Sequence, residues 1–154
     1  MSKKILIVGT MAYDAIETPF YKVSRILGGS CPYIALAASK FSNECSIISV
    51  IGKDFENKDL DILKKSKINC DGIKKDVHSN TFFWSGRYSQ DMNSRITLET
   101  KLNVLEKFNP TISKINSKPD ILIIGNSHGR DLYNTFNLNK EYFVNYNFAI
   151  FDKI

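Results

Sequence analysis

Short apolar runs set the outline of this chain before any other feature does. Ile5–Val8 stops at Gly9, Cys45–Ile51 at Gly52 and Ile121–Ile124 at Gly125, while Phe148–Phe151 lies near the end of the 154-residue sequence. None alternates strictly between apolar and polar residues. Each therefore predicts a strand buried on both faces, as in a parallel sheet covered by helices. The segments between them suit that reading. Ser30 is placed as an N-cap, with Pro32 in the first turn and Ile34, Ala37, Ala38 and Phe41 forming one apolar helical stripe. Asn57 is placed to cap a second helix through about Ser66, with Leu60 and Leu63 on its buried side. Thr81–Tyr88 is rich in aromatic and β-branched residues and predicts a further strand. Glu17–Leu27, with Pro19, Phe20 and Tyr21, suits a short excursion such as an edge hairpin. Strands alternating with helices imply a mainly parallel, three-layer α/β sheet.

Length and composition narrow the class. The chain is one domain long, with 43% hydrophobic and 24% charged residues, an ordinary globular balance. Its net charge of +5 comes from scattered lysines. No basic helix or arginine cluster accompanies it, which argues against a nucleic-acid partner. The four-residue apolar run after Lys3 and Lys4 is too short for a signal peptide, and a membrane span needs about twenty residues. Cys31, Cys45 and Cys70 are odd in number and form no CxxC pair, so reduced structural thiols and a cytoplasmic location are expected. A parallel strand at 148–151 with almost nothing after it to cover the sheet gives the impression of a chain cut short.

The eight glycines stand at 9, 28, 29, 52, 72, 86, 125 and 129. GxG, GxGxxG and GxxxxGK[ST] are therefore all missing, and with them any recognisable phosphate cradle. HExxH and DxDxDG are missing too, and the two histidines are isolated, so a dedicated metal site is not expected. His78, in a polar loop, reads as a surface residue. Gly28-Gly29-Ser30 is the informative cluster. Taken alone it is a turn feeding a capped helix, but two glycines before a helix N-terminus also let an oxygen-rich ligand approach the backbone. Asp14 follows the first strand, at the carboxyl end where open α/β sheets bind ligands. A carboxylate there could accept a pair of hydroxyl hydrogen bonds, or simply shape a turn.

The segments VGTMAYDAIETPF, RILGGSCPYIALAASKF, CSIISVIGKDF, LDILKKSKINCDGI and TFFWSGRY follow one another in that order, with TLETKLNVLEKF after them. Together they resemble the amino-terminal half of the PfkB, or ribokinase-like, family of carbohydrate and nucleoside kinases. A glycine pair opening an alanine-rich helix, then a strand ending in Gly-x-Asp, is that family's first signature. The resemblance covers about residues 3–125. It implies a ribokinase-like α/β sandwich with a small β-sheet lid, supplied by about 16–27 and 81–98, and a tail of uncertain origin over 126–154. It also implies that Asp14, Gly28, Gly29 and Ser30 hold substrate hydroxyls, that Arg87 reaches the substrate from the lid, and that Asn126 lies near the ligand edge of the sheet. The implied partner is a small-molecule sugar or nucleoside, with homodimerisation through the lid or an exposed sheet edge as a further possibility. The implied cofactors are ATP and Mg²⁺. Two departures matter. Tyr33 stands where the family usually has an asparagine, and the Gly-Ala-Gly-Asp motif that carries the family's aspartate base and anion hole does not occur. The expectation is an acceptor-substrate half that does not turn over alone. A non-catalytic binding or pairing module is the rival.

The tail from Ile121, ILIIGNSHGRD, also resembles the opening block of SGNH-type esterases, in which a strand leads into Gly-Asp-Ser. Asn126 replaces that aspartate. Ser127 would be the nucleophile, but it lacks the DxxH histidine that such a serine needs. The expectation is that Ser127 shapes a strand-to-helix turn, with a fusion of a kinase start to an esterase-like tail as the alternative.

Overall fold

The computed structural model describes residues 2–110, 118–125 and 148–150. Strands β1 (Lys4–Val8), β4 (Glu44–Ile51), β5 (Asn69–Lys75), β8 (Ile121–Ile124) and β9 (Phe148–Ile150) form one sheet in the order β5-β4-β1-β8-β9, and every pairing in it is parallel. The central strand β1 has partners on both sides, with Ile5 opposite Cys45 and Ile121, and Val8 opposite Ile48 and Ile124. Its side chains divide between two clusters. Ile5 and Ile7 pack with Cys31, Ala35 and Leu63 from helices α1 (Ser30–Ala38) and α2 (Asn57–Lys65), whereas Leu6 and Val8 pack with Ile48, Leu122, Ile124 and Phe108. Apolar residues at successive positions of β1 are thus accounted for by burial on both faces. No helix among the described residues is long and apolar enough to cross a membrane.

A second sheet is built from β2 (Ala12–Glu17), β3 (Lys22–Gly28), β6 (Phe82–Tyr88) and β7 (Arg95–Lys101), in the order β3-β2-β6-β7. The hairpin foreseen at Glu17–Leu27 is β2–β3, but its first strand starts at Ala12, so Asp14 lies within a strand rather than in a turn. The base of this sheet packs on the main core through Tyr13, Leu27 and Phe83, which face one another across neighbouring strands. Tyr13 stacks on Phe55 at 5.2 Å and donates to Asp59 Oδ2 at 2.6 Å. Its hydroxyl also accepts from Glu56 N–H at 3.0 Å, and the Arg25 guanidinium lies 3.7 Å above its ring.

The Gly-x-Asp turn after β4 grips the start of β6. Asp54 Oδ1 accepts from Thr81 N–H at 2.7 Å and from its hydroxyl at 2.8 Å, while Thr81 Oγ1 accepts from Gly52 N–H at 3.0 Å. Arg25 of β3 donates to Asp54 Oδ2 at 3.3 Å, so the same turn holds both arms of the second sheet.

Three local expectations change. Ser30 is not the N-cap of α1: Gly29 takes that position, and the Ser30 hydroxyl turns toward Thr10. Asn57 is likewise the first residue of α2, whose cap position is Glu56, drawn there by its bond to Tyr13. The foreseen stripe on α1 holds in part: Ile34 and Ala38 pack against the core beside the fully buried Cys31, Pro32 and Ala35, whereas Phe41 lies past the helix end at Ala38 and is 89% exposed.

Thr81→Val leaves the Gly52 N–H and Asp54 Oδ1 short of a partner at a site only 1% exposed. A loss of about 1–3 kcal/mol in urea-unfolding free energy is expected, and Thr81→Ser, which keeps the hydroxyl, should recover most of it.

Candidate functional site

A cleft of about 610 Å³ opens between the second sheet and the start of α1. That volume lies within the range for small-molecule sites. Its inner end is built on Thr10, Asp14, Gly29 and Ser30, and its outer wall on Phe82, Trp84, Tyr88, Arg95, Thr97 and Thr100.

Strand alternation explains the inner end. Tyr13 points to the core, so Asp14 points to the cleft. Its carboxylate folds over Gly28, where an added Cβ would lie 2.3 Å from both Cγ and Oδ2. Gly28 is therefore the slot in which Asp14 rests. Gly29 is constrained differently: its φ of +88° is a left-handed conformation, and an added Cβ would lie 2.4 Å from the Thr10 carbonyl oxygen. The turn is fastened to Thr10 by Cys31 N–H to Thr10 O at 2.9 Å and Ser30 N–H to Thr10 Oγ1 at 3.2 Å. The Ser30 hydroxyl lies 3.3 Å from Thr10 Oγ1 and accepts from Thr10 N–H at 3.4 Å.

Asp14 has no hydrogen-bond or ion-pair partner among the described residues. Burial raises its pKa to about 6 from an ordinary value of 3.8. A half-buried carboxylate facing a cleft, with no donor to it among the described residues, is suited to receive hydroxyl donors.

The outer wall corrects one expectation. In β6, Phe82, Trp84 and Tyr88 line the cleft, and period-two alternation puts Arg87 on the opposite face. There Arg87 is exposed and donates to Glu17 Oε1 at 2.8 Å. The arginine that does line the cleft is Arg95. A bulge brings it there. Ser85 pairs with Glu99 but Gly86 pairs with Thr97, so Leu98 is the extra residue and the side chains of β7 that precede it change face. Without the bulge, Leu98 and Ile96 would face the cleft; with it, Thr97 and Arg95 do. Tyr33 lines the opposite wall, and its hydroxyl donates to Leu27 O at 2.9 Å.

Asp14, Gly29 and Ser30 are thus brought together at one cleft, with Gly28 beneath the carboxylate, and Arg87 is not among them. Asn126 and Ser127 lie outside the described residues. Thr10, Trp84 and Arg95 were not foreseen. The alternation Phe82, Trp84, Gly86, Tyr88 was the available signal, since it excludes Arg87 from the face that carries Trp84. For Arg95 there was none, because a bulge changes the face without changing the residue pattern. Among the described residues no group of three or more His, Cys, Asp or Glu could hold a metal ion.

No family model and no curated protein matches the chain. Solved structures do. A Methanocaldococcus jannaschii nucleoside kinase, described as an archaeal member of the ribokinase family, matches with a TM-score of 0.71 at 20% identity, over 97% of this chain and 53% of that one. A ribokinase from Cryptococcus neoformans var. grubii serotype A in complex with ADP matches with a TM-score of 0.75 at 14% identity, over 97% and 49%. A Burkholderia thailandensis nucleoside kinase in complex with inosine matches with a TM-score of 0.73 at 16% identity, over 94% and 51%. The fold, a mixed α/β domain with a parallel sheet and a second sheet, is therefore ribokinase-like. The chain spans about half the length of these structures.

The Asp14 carboxyl yields a signed prediction. Its folded pKa lies above its ordinary value, so the ionised form opposes folding. Its full stability is present below about pH 4 and declines as pH rises through about 6. Asp14→Asn should be more stable than wild type at pH 7–8, by about 1 kcal/mol once solvent screening is allowed for, with the gain vanishing near pH 4. Chemical unfolding across pH checks this.

Proposed function

We propose that this chain carries the acceptor-substrate side of a sugar or nucleoside kinase of the PfkB, ribokinase-like family. The observation that carries the reading is the Asp14 carboxylate. It is slotted over Gly28 and partner-free among the described residues, at the inner end of a cleft walled by a second sheet. In that role Asp14 accepts hydrogen bonds from substrate hydroxyls, and the fastened Gly29-Ser30 turn sets how deeply the sugar enters. The second sheet acts as the lid that screens the cleft from water. Holding a hydroxyl in a fixed place is a large share of catalysis in phosphoryl transfer, which depends on positioning and charge stabilisation.

The phosphate donor in this reading is ATP with Mg²⁺, and one fold neighbour was solved with ADP. The described residues do not fit that group. They gather no carboxylate cluster for a metal, and the sequence has no glycine-rich phosphate cradle and no Gly-Ala-Gly-Asp motif. The chain by itself is therefore expected to bind acceptor without transferring phosphate. The tail is read as part of the same domain rather than as a fused SGNH-type start. In support, β8 continues the main sheet beside β1, and the fold likeness reaches 97% of the chain.

A second reading, a pairing module, is favoured by one feature. Edge strand β7 is exposed along its whole length, with Ile96 58% and Leu98 45% accessible on the wall remote from the cleft. It predicts concentration-dependent association that is indifferent to sugars.

Thermal unfolding with a panel of sugars, nucleosides and Mg-ATP tests the kinase reading. One sugar or nucleoside should raise the midpoint, by about 2.7 kcal/mol of stabilisation at a hundredfold excess over Kd, and Mg-ATP should not. Asp14→Ala should abolish the shift and Arg87→Ala should leave it intact. Phosphate transfer from Mg-ATP by the 154-residue chain, or a panel with no effect at all, would contradict it.

A further inference from the structure

The outer half of the cleft is organised around a single indole. An added Cβ at Gly86 would lie 2.2 Å from Trp84 Cη2 and 2.5 Å from Cζ2, so the six-membered ring lies directly over the Gly86 backbone instead of standing out from the strand. Its far edge is fixed by Nε1–H donating to Thr97 Oγ1 at 3.3 Å, and Thr97 is the cross-strand partner of Gly86. One indole face therefore rests on the sheet, and the other faces the cleft beneath the Arg95 guanidinium. The bulge at Leu98 puts both Thr97 and Arg95 on this wall, and the Arg95 guanidinium carbon lies 5.7 Å from the indole centroid. Arg95 makes no ion pair among the described residues.

The inner and outer halves differ in chemistry and are offset along the strand. Asp14 and Trp84 are direct cross-strand partners, but the indole runs two residues outward, about 6–7 Å, away from the carboxylate. A ligand that satisfies both halves needs a hydroxyl-bearing part for Asp14 and a flat ring for Trp84. It also needs acceptor atoms on the edge of that ring for Arg95. We propose that the acceptor is a nucleoside, whose base takes the place over Trp84 that the Arg95 guanidinium holds in the free chain, with Arg95 swinging aside to donate to acceptors on the base edge. Trp84 and Arg95 then determine specificity, and Gly86 and Thr97 position the indole. This rests on the acceptor-site reading above and goes beyond it by choosing between sugar and nucleoside.

Trp84 is the only tryptophan in the chain, so intrinsic fluorescence reports on the platform directly. The experiment titrates the full chain with guanosine, adenosine, uridine, ribose, glucose and ribose 5-phosphate, following Trp84 emission and, independently, the heat of binding. The expected result is emission quenching by at least one nucleoside, bound tenfold or more tighter than ribose, as base–aromatic stacking implies. That preference should collapse in Trp84→Leu and in Gly86→Ala, which keeps the indole but evicts it from its seat. It should persist in Trp84→Phe. Ribose or glucose binding as tightly as any nucleoside overturns the platform while leaving the acceptor site standing. So does tightest binding of ribose 5-phosphate, which would make Arg95 a phosphate ligand, and so does a nucleoside preference that survives Trp84→Leu. No heat with any of the six overturns both readings together.

Discussion

The geometry of the cleft depends on one close contact, the backbone of Gly29 lying against Thr10. The chain leaves β1, passes Thr10 and enters the second sheet at Ala12. It returns along β3 and must meet Thr10 again before α1 can begin. A side chain at position 29 would lie 2.4 Å from the Thr10 carbonyl oxygen, and the φ of +88° would add strain for any other residue. With glycine there, the first N–H groups of α1 bond to Thr10, which accounts for donors that a helix start otherwise leaves unpaired. That closure fixes the end of β3, and Gly28 at that end sets where the Asp14 carboxylate can rest.

Two aspartates are treated differently by the fold. Asp54 is part of the tie between the sheets. Its partial burial opposes ionisation, but the two hydrogen bonds from Thr81 and the nearby Arg25 charge outweigh it and hold the pKa below the ordinary carboxylate value. Asp14 is buried more and supported less, so desolvation alone raises it. One carboxylate has its donors built into the fold. The other has none among the described residues, which suits the acceptor-binding role proposed for it. Tyr13 connects the two. It anchors β2 to α2 and carries Arg25 over its ring, on the face opposite its neighbour Asp14.

The main sheet was legible because strands buried on both faces have no polar alternation to confuse them. Strand β5 was not, since NCDGIKK is a lysine-rich edge strand whose place comes from pairing with β4 rather than from its own pattern. Strand β2 was hidden for a related reason: AYDAIE sits so close to Gly9 that Asp14 passed for a turn residue. The glycine pair and Asp14 were singled out through family likeness, and sterics explain why they lie together. Arg87 was misplaced because its face depends on strand phase. Arg95 was missed because its face depends on a bulge, which pairing creates and sequence does not display.

The most direct measurement is the NMR titration of the Asp14 side-chain carboxyl, with and without saturating sugar or nucleoside. A pKa near 6 in the free chain, falling when ligand hydroxyls bond to the ionised form, is what this account predicts. An ordinary carboxylate pKa in the free chain, or a raised one that no sugar or nucleoside lowers, would contradict it.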